Sequence, residues 1–210
     1  MSGQGPRRTR VKICGVRDVE TAIAAASAGA DAIGLVFAAA SPRCVTADAA
    51  AAIADALPPW VVAVGVFADA PIGAIVADWP GQWVQLHGHE TTVPSELRNR
   101  HVMKALPIDA DERAFERWDR DPAVTALLID APDPGQGRAF DHQAFAARRA
   151  TLTKPLVIAG GLTPENVGRA IHILRPWAVD VSSGVERERG IKDPARIDAF
   201  CAAVRAADAS

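Results

Sequence analysis

Eight times along this chain a short apolar run gives way to a stretch of helical composition, and that alternation restricts the possible folds more than any other feature. The apolar runs cover residues 11–14, 32–37, 61–67, 82–86, 102–106, 126–129, 156–159 and 178–181. The helical stretches cover 18–28, 46–57, 71–78, 94–100, 111–118, 141–149, 164–174 and 194–206. The punctuation agrees. Gly29 closes the first helix, Thr46 stands at the cap of the second, and Pro71 and Pro194 fall in first turns. Thr163 precedes the seventh helix as its cap. The apolar runs are hydrophobic on both faces, the pattern of parallel strands covered by helices. Eight such units in 210 residues predict an α/β chain with one domain, a closed (β/α)8 TIM barrel over residues 11–210. Closure removes the edges that an open sheet leaves unpaired. A doubly wound open sheet is the alternative.

Composition excludes several classes of partner. The chain is 49% hydrophobic and 23% charged with a net charge of -2, so no basic field draws in nucleic acid or an anionic membrane. An anionic ligand would need discrete donors. No apolar run approaches the roughly 20 residues of a membrane span. Residues 1–10 carry Arg7, Arg8 and Arg10 with no apolar core behind them, which reads as a disordered arm rather than a secretory signal. The three cysteines, Cys14, Cys44 and Cys201, are odd in number and form no CxxC pair. That argues against a disulfide framework or a zinc site and for a reduced, cytoplasmic setting. The five histidines show no metal-ligand spacing, except that His87 and His89 lie two apart, and GxGxxG, P-loop and HExxH motifs are absent, so no metal site is expected.

In a closed barrel the C-terminal ends of all strands face one mouth, where catalytic groups gather. Cys14 ends the first strand, Gln85 and His87 flank the end of the fourth, and Asp130 ends the sixth. Gly160-Gly161 follow the seventh strand and Ser182-Ser183-Gly184 the eighth. Each has a bland reading alone. Cys14 is a small apolar side chain, Asp130 caps a turn, His87 is a rim histidine, and the glycine pair only turns the chain. Their convergence on one rim favours a site. The segments after strands seven and eight offer amide and hydroxyl donors where barrels commonly hold phosphate.

Longer motifs then appear in a specific order. They are Lys12-Ile13-Cys14-Gly15, Gly29-Ala30-Asp31-Ala32, Ser41-Pro42-Arg43, Val64-Gly65-Val66-Phe67, Val84-Gln85-Leu86-His87-Gly88 and Ile129-Asp130. A run from Ala159 through Gly160, Gly161, Thr163, Pro164 and Asn166 to Val167 follows, then Asp180 to Glu186, then Gly190-Ile191-Lys192-Asp193. The set, spanning about residues 11–205, resembles the phosphoribosylanthranilate isomerase family. The resemblance implies a cofactor-independent Amadori rearrangement of a small phosphosugar-anthranilate substrate in a (β/α)8 barrel, within tryptophan biosynthesis. It implies Cys14 as general base and Asp130 as general acid. It puts Arg43 on the anthranilate carboxylate and His87 near the aromatic or sugar portion, with Gln85 and Asp180 also binding substrate. Gly137, Gly160, Gly161, Ser182, Ser183 and Gly184 would hold the phosphate. The oligomer would be a monomer or homodimer.

The chain departs from the family pattern in the loop after strand six, which here reads Gly135-Gln136-Gly137-Arg138 and then Phe140-Asp141-His142. The family's Gly-Thr-Gly and Phe-Asp-Trp are thus altered, and Ala38-Ala39-Ala40 stands before Ser41 where an aromatic is frequent. Two other readings compete. The bifunctional isomerase of histidine and tryptophan synthesis is similar but carries aspartate where Cys14 stands. A phosphate-binding barrel without catalysis would be expected to have lost Cys14 or Asp130.

Overall fold

The computed structural model describes residues 8–131 and 142–210. Eight parallel strands close on themselves in chain order: β1 Arg10–Cys14, β2 Ala32–Val36, β3 Val62–Phe67, β4 Trp83–Leu86, β5 His101–Pro107, β6 Val124–Asp130, β7 Leu156–Ile158 and β8 Ala178–Val181. β1 completes the ring by pairing with β8, Lys12 opposite Asp180, and on its other side Cys14 lies opposite Gly34 of β2. The helices are α1 Val19–Ala28, α2 Ala47–Ala56, α3 Ile72–Asp78, α4 Glu112–Arg120, α5 His142–Arg149, α6 Val167–Leu174 and α7 Pro194–Asp208.

Strand alternation sorts the side chains. Val11, Ile13, Leu127, Ile129 and Ile158 face outward into the apolar layer beneath the helices. Met103, Ala105, Ala126, Leu128, Val157, Ala159 and Ala178 fill the barrel interior. The same period carries Asp130 and Asp180 inward, two positions beyond Leu128 and Ala178, and turns Lys12, Cys14 and Gln85 inward on β1 and β4. The sequence pattern that builds the core therefore also aims the polar groups into the mouth.

Local capping follows the sequence. Asp18 Oδ1 accepts from the Thr21 amide at 2.8 Å, and Gly29 closes α1 at φ 109°. Thr46 Oγ1 accepts from the Ala49 amide at 3.2 Å.

Three segments differ from the sequence expectation. Residues 94–100 hold only a 3-10 turn, Ser95–Leu97, in place of an α-helix. Leu97 is the one residue of that turn to be buried, so no apolar stripe repays the ordering of a helix there. α6 starts at Val167 rather than Pro164, because residues 163–166 form their own turn. Asn166 Oδ1 accepts from the Thr163 amide at 2.8 Å, and Asn166 Nδ2 donates to the Gly161 carbonyl at 2.8 Å. Between β8 and α7 lie a 3-10 turn, Ser183–Val185, and a small hairpin of β9 Glu186–Glu188 and β10 Ile191–Lys192, which the apolar periodicity does not signal. At the N-terminus β1 begins at Arg10. Thr9 is buried and gives its amide and hydroxyl to the Asp208 carboxylate of α7 at 2.7 and 2.6 Å. The remainder of the expected arm, residues 1–7, lies outside the described residues.

Candidate active site

The C-terminal mouth encloses a cavity of about 350 Å³. Its wall includes Cys14, Arg43, His87, Asp130, Gly161 and Ser183, drawn from strands β1 and β6 and from the segments after β2, β4, β7 and β8. Gln85, Gly160, Asp180 and Ser182 line it as well. The cavity thus brings together nearly all of the residues that the strand ends pointed to. Gly184 is set differently. A methyl group there would lie 1.9 Å from the Leu162 carbonyl oxygen, so this glycine lets the loops after β7 and β8 touch. Gly137 lies outside the described residues.

Asp130 is held at both oxygens. Oδ1 accepts from the Ala131 amide at 2.7 Å, and Oδ2 lies 3.3 Å from His87 Nε2. Gln85, fully buried below, lies 2.8 Å from His87 Nδ1 through its side-chain amide, so the imidazole bridges Gln85 and Asp130. Gly160, at φ 78°, makes room for this arrangement. A methyl group there would come within 2.4 Å of the Ala131 nitrogen and 2.9 Å of Asp130 Oδ1.

Cys14 is 8% exposed, with its sulfur in a patch formed by Val36 and Val66. Burial pushes its thiol up from the ordinary range, against the opposing fields of Lys12 and Lys192. The lysines that would lower it are opposed by Asp180 as well as by burial, and they do not outweigh desolvation.

On the other side of the mouth, a buried ion cluster fixes the loop after β2. Arg43 donates from Nε and Nη2 to the two oxygens of Glu186 at 2.7 and 2.9 Å, a bidentate fork. Lys192 adds a bond to Glu186 Oε1 at 2.8 Å and another to the Ser182 carbonyl at 3.0 Å. Burial works against ionisation of Glu186, but the hydrogen bonds from Arg43 and Lys192 overcome it and bring its carboxyl down to about 2. Ser182 Oγ in turn donates to the Cys14 carbonyl at 3.0 Å, which joins the cluster to β1. Sequence reasoning singled out Arg43 but assigned no role to Lys12, Glu186 or Lys192. The available signal was a lysine inside an apolar strand, two residues before Cys14 and hence on its face.

Gly34 tests how tightly this floor is packed. A methyl group at Gly34 would lie 2.8 Å from Cys14 Sγ, 3.0 Å from the Cys14 Cα and 3.0 Å from Lys12 Nζ. Gly34→Ala therefore displaces Cys14 by a fraction of an ångström or more. Displacements of about 1 Å cost on the order of 10²-fold in rate. Steady-state kinetics beside a thermal melt should show kcat reduced by about that factor with the fold retained, and an unchanged kcat would mean that Cys14 need not be held in place.

A (β/α)8 barrel with a carboxyl group, a thiol, and glycines and serines gathered around one mouth has the layout of an enzyme site. The comparisons narrow this to one family. Residues 11–203 match the family model described as N-(5'phosphoribosyl)anthranilate (PRA) isomerase. The chain is 47% identical over 203 residues to N-(5'-phosphoribosyl)anthranilate isomerase of Pseudomonas aeruginosa strain UCBPP-PA14, covering 93% of this chain and 95% of that one. It superimposes on the crystal structure of phosphoribosyl anthranilate isomerase from Thermus thermophilus with a TM-score of 0.83 at 37% identity, covering 94% and 99% of the two chains. A second solved isomerase, in complex with reduced 1-(o-carboxyphenylamino)-1-deoxyribulose 5-phosphate, aligns at 37% identity and a TM-score of 0.80, with the same coverage. The chain belongs to the phosphoribosylanthranilate isomerase family and is an isomerase.

Proposed function

We propose that this isomerase converts N-(5-phosphoribosyl)anthranilate to 1-(2-carboxyphenylamino)-1-deoxyribulose 5-phosphate in cytoplasmic tryptophan biosynthesis, with Asp130 as general acid and Cys14 as general base. The observation that carries the reading is the placement of these two groups on different strands around one cavity, the carboxyl on β6 and the thiol on β1. The named relatives and the solved complex support the substrate class.

The reaction needs one proton given and one taken at different atoms. Asp130 in its acid form protonates the furanose oxygen, the bond from that oxygen to the anomeric carbon breaks, and the nitrogen lone pair forms a protonated Schiff base. The cation acidifies the C2′ hydrogen. The Cys14 thiolate takes that proton, and the electron pair moves to form an enolamine. The C1′ carbon then takes a proton, balanced by the Cys14 thiol losing one, and the C2′ hydroxyl gives its proton up to the Asp130 carboxylate, which forms the ketone, restores both groups and sets oxidation at C2′ against reduction at C1′. Two positioned groups suffice for this sequence, each typically worth about 10²–10⁴-fold. The phosphate would rest against Gly160, Gly161, Ser182 and Ser183. Arg43, with Nε and Nη2 engaged by Glu186, would meet the anthranilate carboxylate through its remaining Nη1 group.

Purified protein mixed with freshly prepared N-(5-phosphoribosyl)anthranilate tests the assignment. The substrate's fluorescence should decay enzymatically, and the product should be the 1-deoxyribulose 5-phosphate derivative. Loss of fluorescence no faster than the spontaneous breakdown, with anthranilate as the product, would overturn it.

A further inference from the structure

Lys12 is an unusual occupant of a barrel interior. It is 2% exposed, and burial alone would weaken its ammonium. The charge is kept by Asp180, whose Oδ1 lies 2.9 Å from Nζ across the β1–β8 register. A structural ion pair would explain that contact and nothing more. The placement relative to Cys14 adds something. Lys12 and Cys14 are two residues apart on one strand and so share its inward face. The single missing methyl of Gly34 would touch both Cys14 Sγ and Lys12 Nζ, so sulfur and ammonium border the same small space. The ammonium therefore has two groups near it, one a carboxylate and the other a thiol whose ionised form is an anion.

The surroundings of the sulfur are charged from several sides. Lys12 faces it from β1, Asp180 from β8, Lys192 from β10 and Arg43 from the loop after β2. Arg43 and Lys192 are tied to Glu186, and Lys192 also to Ser182. Among the described residues the carboxylate that binds Lys12 Nζ is that of Asp180. When Cys14 ionises, Lys12 can serve both anions without moving along the strand.

We propose that Lys12 is a positioning residue that acts through the sulfur of Cys14: its ammonium, shared with Asp180, stabilises the thiolate against the cost of burial. The inference rests on the reading of Cys14 as general base. It also gives the Lys12–Asp180 pair a function beyond stability, because the carboxylate and the ammonium push the thiol in opposite directions.

That opposition supplies the test. The rate of iodoacetamide alkylation at Cys14, followed by peptide mass spectrometry as a function of pH, reads the thiolate directly and without substrate. In Lys12→Met the midpoint should rise by about one unit or more, equivalent to alkylation about tenfold slower at pH near 8. In Asp180→Asn the midpoint should fall and alkylation should speed up. Lys12→Arg, which keeps the cation, should stay close to wild type. Midpoints unchanged in the first two variants, or shifted in the same direction, would overturn the proposal. If Lys12→Met does not fold, the double variant Lys12→Met/Asp180→Asn carries the test, since it leaves no unpaired buried charge. Its midpoint must lie above that of Asp180→Asn alone, and equality would overturn the proposal. Turnover of Cys14→Ser separates the two layers. A fully active serine variant removes Cys14 as base while leaving the alkylation shifts standing, whereas an inactive serine variant with unshifted alkylation removes only the role of Lys12.

Discussion

Cys14→Ser should lose at least about 10²–10⁴-fold in kcat, the range of a positioned base, while its melting temperature changes little. Serine keeps the size and leaves the contacts with Val36 and Val66 largely intact. Its hydroxyl, however, does not ionise near neutral pH, and no cation beside it changes that. If Cys14 were only a packing residue on the barrel wall, serine would alter stability modestly and leave turnover alone. The thiol is pushed up by burial, so the thiolate is a minority species at neutral pH in the free enzyme. With Cys14 as the base, turnover in the wild type would draw on that ionised fraction, and kcat/KM should fall at acid pH as the fraction shrinks further.

Asp130→Asn is expected to cost a similar factor, about 10²–10⁴-fold in kcat. The amide preserves the shape and keeps an oxygen for the Ala131 amide, which Asp130 Oδ1 now binds at 2.7 Å. It also keeps a polar group opposite His87 Nε2. What it lacks is an acidic proton for the furanose oxygen. An asparagine variant with unimpaired kcat would reduce Asp130 to a cap on the turn after β6. Steady-state kinetics together with a thermal melt separates these outcomes, because the capping role predicts retained activity and the acid role predicts retained stability without activity.

The fold was legible because two periods coincide in this chain. Short doubly apolar runs and amphipathic or alanine-rich stretches alternate without interruption, and eight repeats leave little besides a closed barrel. The exceptions are local. Residues 94–100 have helical composition but bury too little to hold a helix, and the turn at residues 163–166 is made by Asn166, a residue that also fits a helical start. The hairpin of β9 and β10 has no apolar period to announce it, since it is organised by Glu186 and the groups that bind it.

The candidate site was legible where a polar group stands at or just past a strand end, as for Cys14, His87 and Asp130, all of which line the cavity. It was less so where a group works through partners distant in sequence. Arg43 and Glu186 lie 143 positions apart, and Lys12 and Asp180 lie 168 apart, so neither pairing has a local signature. The direction of the Cys14 shift was likewise out of reach, because it depends on the balance between burial and two lysines brought in by the fold.

The division of labour between Asp130 and Cys14 is tested most directly by the isotope effect on kcat for substrate carrying deuterium at C2′, measured in Cys14→Ser and Asp130→Asn. Loss of the base should make removal of the C2′ proton limiting, so Cys14→Ser should show a primary effect of several-fold. Loss of the acid should make ring opening limiting, so Asp130→Asn should show a value close to unity. An effect near unity in Cys14→Ser, or a full primary effect in Asp130→Asn alone, would contradict the assignment of the two proton transfers.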